Sequence, residues 1–183
     1  MNLLFRLFIA FNSTSLILVV YLIKRGKLIN SLLPRMHDLP HWVSYLIYIL
    51  ITILFTYISL LFSRWLDFDS VESEKGESPI KAIELANNSF LPSYIGYFFV
   101  ALSIPNFITL FFVFLILFTF TFLSQTLYFN PLFLLFGYHF FYLTTHNEIR
   151  VFLITKKKLK NPNSINFPSL RRINDFTFID TDK

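Results

Sequence analysis

The segment WVSYLIYILITILFTYISLLF, residues 42–62, runs for 21 residues without a single charge. A helix of that length reaches about 32 Å at ~1.5 Å per residue, and the hydrocarbon core of a bilayer is about 30 Å thick. Trp42 and Trp65 flank the segment where tryptophan usually anchors a span at the membrane interface. Residues 42–62 are therefore predicted to cross a membrane.

The composition of the whole chain agrees with a membrane protein. Of its 183 residues, 55% are hydrophobic and only 15% are charged, whereas soluble domains carry roughly 25% charged residues. The chain has no Cys, which excludes a disulfide-stapled secreted domain and thiolate metal sites. It lacks the His-Glu-x-x-His and Gly-x-Ser-x-Gly motifs, and four Gly are too few for a phosphate-cradling loop. We therefore expect a protein that is not an enzyme, with no catalytic residues, metal or cofactor.

Two further apolar segments flank this region. Residues 3–23 are predicted to form an N-terminal span, and because no small-x-small cleavage site precedes Lys24, an anchor is favoured over a signal peptide. Pro105 interrupts the apolar run 90–129, which is twice the length that one span requires. Either Pro105 kinks one long helix, or a short interfacial helix at 90–103 precedes a full span at 105–125.

The last apolar segment, residues 129–145, is predicted to form a fourth span. Residues 1–145 would then be a transmembrane helical domain, and residues 63–89 its main extramembrane loop, in which residues 78–86 resemble a short helix capped by Ser78. The predicted fold class is an all-α membrane protein with about four transmembrane helices and a small β-containing cytoplasmic C-terminal tail.

The tail, residues 146–183, differs in character from the rest of the chain. Residues 149–154 and 176–179 are rich in β-branched and aromatic side chains and read as two short strands, too few to fold without a partner surface. The tail carries eight of the 16 Lys and Arg residues, which predicts a cytoplasmic location under the positive-inside rule. Two arrangements of the spans place the tail in the cytoplasm, and each puts twelve Lys and Arg residues inside and four outside. The charge count therefore does not decide the orientation of the first two loops.

Three stretches carry a resemblance to a known family: LPSYIGYFFVALS at 91–103, YFNPLFLLFGY at 128–138 and RRINDFTFID at 171–180. They resemble the KwaA family, the membrane subunits of the two-protein bacterial anti-phage system Kiwa. The resemblance implies a multi-pass protein of the bacterial inner membrane that forms a homo-oligomer such as a tetramer and senses infection at the envelope. It also implies a cytoplasmic DNA-binding partner, KwaB, and no active site.

The candidate functional residues fall into two sets. The first set belongs to the tail and would dock a partner or attract anionic lipid, although Arg171 and Arg172 could instead make an internal salt bridge with Asp175. Direct binding of nucleic acid is not expected, because no recognition helix accompanies the basic residues. The tail set is Arg150, Lys156, Lys157, Lys158, Lys160, Arg171, Arg172 and Asp175.

The second set consists of polar residues expected at membrane depth: Asn106, Gln125, Asn130 and His139. Asn106 could cap the helix after Pro105, whereas His139 could relay protons or simply hydrogen-bond between helices.

Two functions are compatible with these features. One is a membrane sensor and scaffold that docks a cytoplasmic partner through the tail. The alternative is a small oligomeric channel lined by polar side chains, namely Thr109, Thr119, Thr121, Gln125 and His139.

Overall fold

Four α-helices form one layer of the protein in a computed structural model, which describes residues 2–29, 40–71, 79–89, 91–124, 130–162, 165 and 167–181. The helices are α1 (Asn2–Lys24), α2 (His41–Phe62), α3 (Leu91–Ser103) and α4 (Phe107–Ser124). Within the described residues, α1, α2 with the turn that follows it, and α4 are long and apolar enough to cross a membrane. Helix α3 is apolar but has only 13 residues, about 20 Å of helix at ~1.5 Å per residue.

Pro105 separates α3 from α4, so of the two arrangements that the sequence left open the structure has the short helix followed by a longer one. Asn106 caps α4, because its Oδ1 accepts hydrogen bonds from the Thr109 backbone N–H at 2.9 Å and from the Thr109 hydroxyl at 3.0 Å. Helix α1 ends at Lys24, and Gly26, two residues later, has a φ of 61°. The N–H groups of Gly26 and Lys27 close the last turn on the carbonyls of Ile23 and Leu22, as in a Schellman motif.

Helix α1 lies at the centre of the helical layer and packs against α2, α3 and α4. The polar stretch Asn12–Ser15 of α1 is buried in these contacts, although it falls in the middle of an apolar helix. The facing side of α2 carries small polar residues, which let two helices approach closely and hydrogen-bond where water is excluded. These residues of α2 are Ser44, Thr52, Thr56 and Ser59.

A six-stranded mixed sheet forms the second layer. Its strands are β1 (Asp67–Val71), β2 (Ile80–Leu85), β3 (His139–Thr145), β4 (Arg150–Thr155), β5 (Phe167–Asn174) and β6 (Thr177–Asp180). The strand order is β1-β5-β6-β4-β3-β2. Strands β4 and β6 run parallel, and the other neighbours are antiparallel. The segment between α2 and α3 therefore supplies both edge strands.

Both faces of the sheet are buried at its central strands. The helix-facing side, with Phe140, Phe152 and Ile173, packs in one cluster with Ile9 of α1 and Leu60 of α2. The outer side forms a second cluster that the connection between β4 and β5 covers with Leu159 and Ile165. The buried residues of the outer side are Ile80, Phe141, Leu143, Leu153, Phe167, Leu170 and Phe178.

The sheet lies at one end of the helical layer. Phe5 near the start of α1, Leu60 near the end of α2 and Tyr94 near the start of α3 belong to the cluster that the sheet joins. At the opposite end, Tyr21 of α1 clusters with Ile104 in the break between α3 and α4. Successive helices therefore alternate in direction between a sheet end and a loop end.

At the loop end, Lys24 connects α1 to the end of α3 and to the break between α3 and α4. Its Nζ donates to the carbonyl of Leu102 and, at 3.1 Å, to that of Ile104. A cation at these carbonyls is favourable because the last carbonyls of a helix lack partners of their own.

The predicted fold class is wrong: the protein is mixed α/β, not an all-α protein with a small β tail. Residues 129–145 were expected to form a fourth span, but the described part contains a 3-10 helix, Pro131–Phe136, followed by β3. Gly137 separates the two with a φ of 76°, a conformation that glycine adopts readily. Because β3 is buried on both faces, its sequence is apolar without the alternation that marks a half-exposed strand.

The expected helix at 78–86 is also wrong, because Ile80–Leu85 form the edge strand β2. The strands of the tail do not stand alone either. Strand β5 pairs with β1 and strand β4 pairs with β3, so the tail completes a sheet that begins before α3.

Candidate functional site

Most cationic side chains predicted in the tail have partners within the protein. Arg150 pairs with Glu84 of β2 and lies over the ring of Tyr142, with its guanidinium carbon 3.9 Å from the ring centre. Arg172 pairs with Asp175 at 2.8 Å. Of the two arginines that the sequence suggested as partners of Asp175, Arg172 therefore forms the internal salt bridge.

Arg171 links the sheet to the end of α2. Its Nη1 donates to the Leu66 carbonyl at 3.1 Å, and its guanidinium lies 5.6 Å from the ring centre of Phe68 in β1. The Nε of Arg171 is buried, and no described residue accepts a hydrogen bond from it. A residue in this setting stabilises the junction of the two layers and does not present its charge to a partner.

Lys156 and Lys157 are also engaged. Lys156 lies 4.9 Å from the ring centre of Tyr138. Lys157 lies 3.4 Å from a carboxylate oxygen of the buried Asp180, which also accepts a hydrogen bond from the Thr155 hydroxyl at 2.8 Å. Burial raises the pKa of the Tyr138 hydroxyl, and Asp180 adds to this rise while Arg64 opposes it. Tyr138 therefore stays neutral at physiological pH.

Lys158 and Lys160 stand apart from the other tail cations. Both side chains are exposed, and the described residues offer neither of them an ion pair. They line a cavity of about 260 Å³ on the outer side of the sheet, together with His139 and Asn87.

His139 does not lie within a span, so this expectation is wrong: it is the first residue of β3. Asn87, which follows β2, holds its ring in place. The Asn87 Oδ1 accepts the Phe140 backbone N–H at 2.8 Å, so the Asn87 Nδ2 is the atom that faces His139 Nδ1 at 3.0 Å. Because Nδ2 can only donate, Nδ1 accepts, and the neutral ring carries its proton on Nε2.

Asn130, like Asn106, belongs to the set predicted at membrane depth and contacts the helices. Its Nδ2 donates to Thr56 Oγ1 at 3.1 Å, and the same oxygen accepts the Asn12 Nδ2 at 3.0 Å. Thr56 in turn donates to the Thr52 carbonyl. Three separate chain segments thus meet at one buried hydroxyl, whereas the Asn12 Oδ1 has no partner among the described residues. Gln125, the remaining predicted residue, lies outside the described part of the chain.

Sequence reasoning missed the roles of Asn12, Thr56 and Asn87. A signal for Asn12 existed, because the run Asn12–Ser15 is the polar interruption in an otherwise apolar span. Asn87 carried no such signal, since its partner His139 lies 52 positions away and the contact depends on the pairing of β2 with β3.

The two turns at one end of β3, β4 and β6 form an exposed mixed surface. Ile149 is 48% exposed and Phe176 is 53% exposed, and Glu148 and Asp175 lie beside them in sequence. The Phe176 carbonyl accepts the Phe152 backbone N–H at 2.7 Å, which brings the two turns side by side. We name residues Glu148, Ile149, Asp175 and Phe176 the turn surface; it lies at the opposite end of β3 from His139.

Two described residues of the channel hypothesis have other contacts or positions than a shared path through the helices. His139 belongs to the sheet, and the exposed Thr119 donates its hydroxyl to the Leu115 carbonyl of its own helix at 2.7 Å. Among the described residues there is also no group of three His, Asp or Glu side chains that could hold a metal ion.

Comparison with known proteins provides the identity of the family. A family model described as "Anti-phage protein KwaA" matches residues 5–179, which extend from the first turns of α1 into β6. No curated protein and no solved structure matches the chain. Since the match covers nearly the whole chain, this protein belongs to the KwaA family of anti-phage proteins.

Proposed function

We propose that this protein anchors an anti-phage defence complex in the bacterial inner membrane and binds a cytoplasmic partner through its sheet. A role in anti-phage defence follows from the family. The proposal for the mechanism rests on one observation: β1 and β2, which lie between α2 and α3, pair with β5 and β3, which follow α4, at one end of the helices.

These strand pairs favour one of the two orientations that tied by charge. A chain segment cannot pair with another across a bilayer, so β1 and β2 lie on the same side as the tail strands. Twelve of the 16 Lys and Arg residues are Arg6 and the eleven in the segments 63–90 and 125–183. The other four belong to the segment 24–35. The positive-inside rule then assigns the sheet end to the cytoplasm and the loop end to the outside.

In this arrangement α3 carries the chain from the sheet end to the loop end. Tyr94 near its start joins the sheet cluster, whereas Ala101 near its end joins the cluster of Tyr21. The 13 residues of α3 are short for a full span, and residues 104–106 complete the passage before α4 returns. The chain would therefore be a multi-pass protein with one short crossing.

The turn surface is the docking site that this proposal favours. Exposed apolar side chains flanked by charges are typical of protein interfaces, and here Ile149 and Phe176 are exposed in two adjacent turns. The partner would be a cytoplasmic protein such as KwaB, which the family resemblance implies, and this chain itself would contribute no catalysis. Sensing of infection and assembly into a homo-oligomer complete the proposal.

The test is a double substitution, Ile149→Ser/Phe176→Ser, in the chain co-produced with the second protein of the Kiwa system. We expect the affinity-purified variant to keep its membrane insertion and oligomeric mass but to lose the soluble partner, as weighed by native mass spectrometry. Phe68→Ser is the matched control, since Phe68 is 62% exposed on the far edge of the same sheet. Equal recovery of the partner by all three proteins would contradict the proposal.

A chain that ends at Thr145 is not a suitable test. It would remove β4, β5 and β6, which include the centre of the sheet, and would expose the apolar cluster that the sheet shares with the helices. Point substitutions on the turn surface leave both faces of the sheet buried.

A further inference from the structure

The cavity on the outer side of the sheet has two chemically different parts. Its apolar lining residues, here called the floor, are Leu85, Phe141 and Leu159. Its polar lining residues, here called the rim, are Asn87, His139, Lys158 and Lys160. A volume of about 260 Å³ suits a small molecule with one apolar and one charged group.

His139 is held as a hydrogen-bond donor toward this cavity. The Asn87 amide occupies Nδ1 and is itself fixed by the Phe140 backbone N–H. The ring nitrogen left for a ligand is therefore Nε2, which bears a proton in both the neutral and the charged ring. No described residue hydrogen-bonds to Nε2.

The charged side chains among the described residues that line the cavity are all cationic. Lys156 and Lys157 are engaged with Tyr138 and Asp180, which leaves Lys158 and Lys160 at the rim. The described acids nearest in sequence to its lining, Glu84 and Glu148, pair with Arg150 and Lys81.

We propose that this cavity binds a small phosphomonoester, with the phosphate at the rim and the apolar group on the floor. Two ammonium groups and one fixed N–H match the charge and the several acceptor oxygens of a phosphate dianion better than those of a carboxylate. The site lies on the face of the sheet that points away from the helices, so a soluble ligand reaches it more directly than a membrane lipid does. It is also remote from the turn surface, so it does not depend on partner docking.

The experiment uses the full chain in detergent and phenyl phosphate as the probe, titrated by isothermal calorimetry. Inorganic phosphate and benzoate test the two halves of the probe separately. We expect phenyl phosphate to bind more tightly than either, and Lys158→Gln/Lys160→Gln to weaken its affinity by about tenfold or more, as for loss of charge-assisted hydrogen bonds. Lys27→Gln/Lys156→Gln removes the same charge outside the cavity and should bind as the wild type does.

A second arm distinguishes a lipid phosphate from a soluble one. Native mass spectrometry of the same proteins with added phosphatidylglycerol, and with phosphatidylcholine as the control lipid, counts retained lipid. The proposal is supported if the wild type and Lys27→Gln/Lys156→Gln bind phenyl phosphate and only Lys158→Gln/Lys160→Gln loses this binding. Retention of phosphatidylglycerol through the same two lysines, without binding of phenyl phosphate, would overturn the soluble ligand. Failure of the wild type to bind either, or equal binding by all variants, would overturn the site.

Discussion

At the scale of single residues, Thr56 is a hydrogen-bond partner of side chains from two other segments of the chain. Its hydroxyl accepts from Asn12 and Asn130 and donates to its own helix. Valine has the same shape but no hydroxyl, so Thr56→Val should remove the Thr56 acceptor from the Asn130 amide and leave the Asn12 amide only Ser59 Oγ, at 3.5 Å. We expect the free energy of unfolding to fall by about 1–2 kcal/mol. Thr119→Val, on the exposed side of α4, should have almost no effect.

The measurement for Thr56 is thermal unfolding of both variants in the same detergent. If Thr56→Val unfolds at the temperature of Thr119→Val, the shared hydroxyl does not join the three chain segments.

Gly137 tests backbone conformation separately from packing. A Cβ added at Gly137 or at Gly96 would meet no atom within 4 Å, so neither glycine is needed for close approach. Gly137, however, has a φ of 76°, which costs roughly 1–2 kcal/mol for a residue with a Cβ. Gly137→Ala should therefore lower the unfolding temperature.

Gly96→Ala serves as the matched variant, because the same added methyl group there lies in helix α3 and should stabilise by up to about 1 kcal/mol. Equal shifts of the unfolding temperature in the two variants would contradict the role of the left-handed conformation at Gly137.

At the scale of elements, the edge strand β2 joins a segment before α3 to a strand after α4. Ala82 pairs with Thr144, and the chain has no native Cys. Ala82→Cys/Thr144→Cys should form a disulfide on mild oxidation, because directly paired residues have Cα atoms about 4.5–5.5 Å apart. Its formation is read on a non-reducing gel after specific cleavage between the two positions.

The control is Glu84→Cys/Thr144→Cys, since Glu84 pairs with Tyr142 and is two residues out of register with Thr144. A cross-link that forms equally in both variants would contradict the register of β2 on β3.

The helices could be predicted from the sequence, whereas most strands could not. The lengths of α1, α2 and α4 follow from long apolar runs, and Pro105 marks the start of α4. Strand β3 was mistaken for part of a span because both of its faces are buried, which makes its sequence apolar without alternation. A short apolar run of this kind does not distinguish a buried strand from a helix. For the candidate site, the basic residues were evident, but their partners Glu84 and Asp180 follow from strand register, which no local pattern specifies.

At the scale of the whole molecule, the orientation of the two ends can be measured directly. Lys27→Cys places a thiol at the loop end and Asn147→Cys places one in the turn after β3; both positions are exposed. A membrane-impermeant maleimide should label Lys27→Cys in intact spheroplasts, and Asn147→Cys only after permeabilisation. The wild type, which lacks Cys, gives the background, and the reverse pattern would place the sheet outside the cell.

The position of β6 has a consequence for how the protein is made. Residues 177–180 leave the ribosome after the other five strands, yet they lie between β5 and β4 in the middle of the sheet. Until then the sheet exists only as two separate halves, β1 with β5 and β4 with β3 and β2, each with an unpaired edge. Helix insertion can precede this step, but the sheet can only close once synthesis has passed residue 180. Chains that terminate earlier would present open strand edges and apolar surface, the features by which quality-control proteases recognise incomplete products.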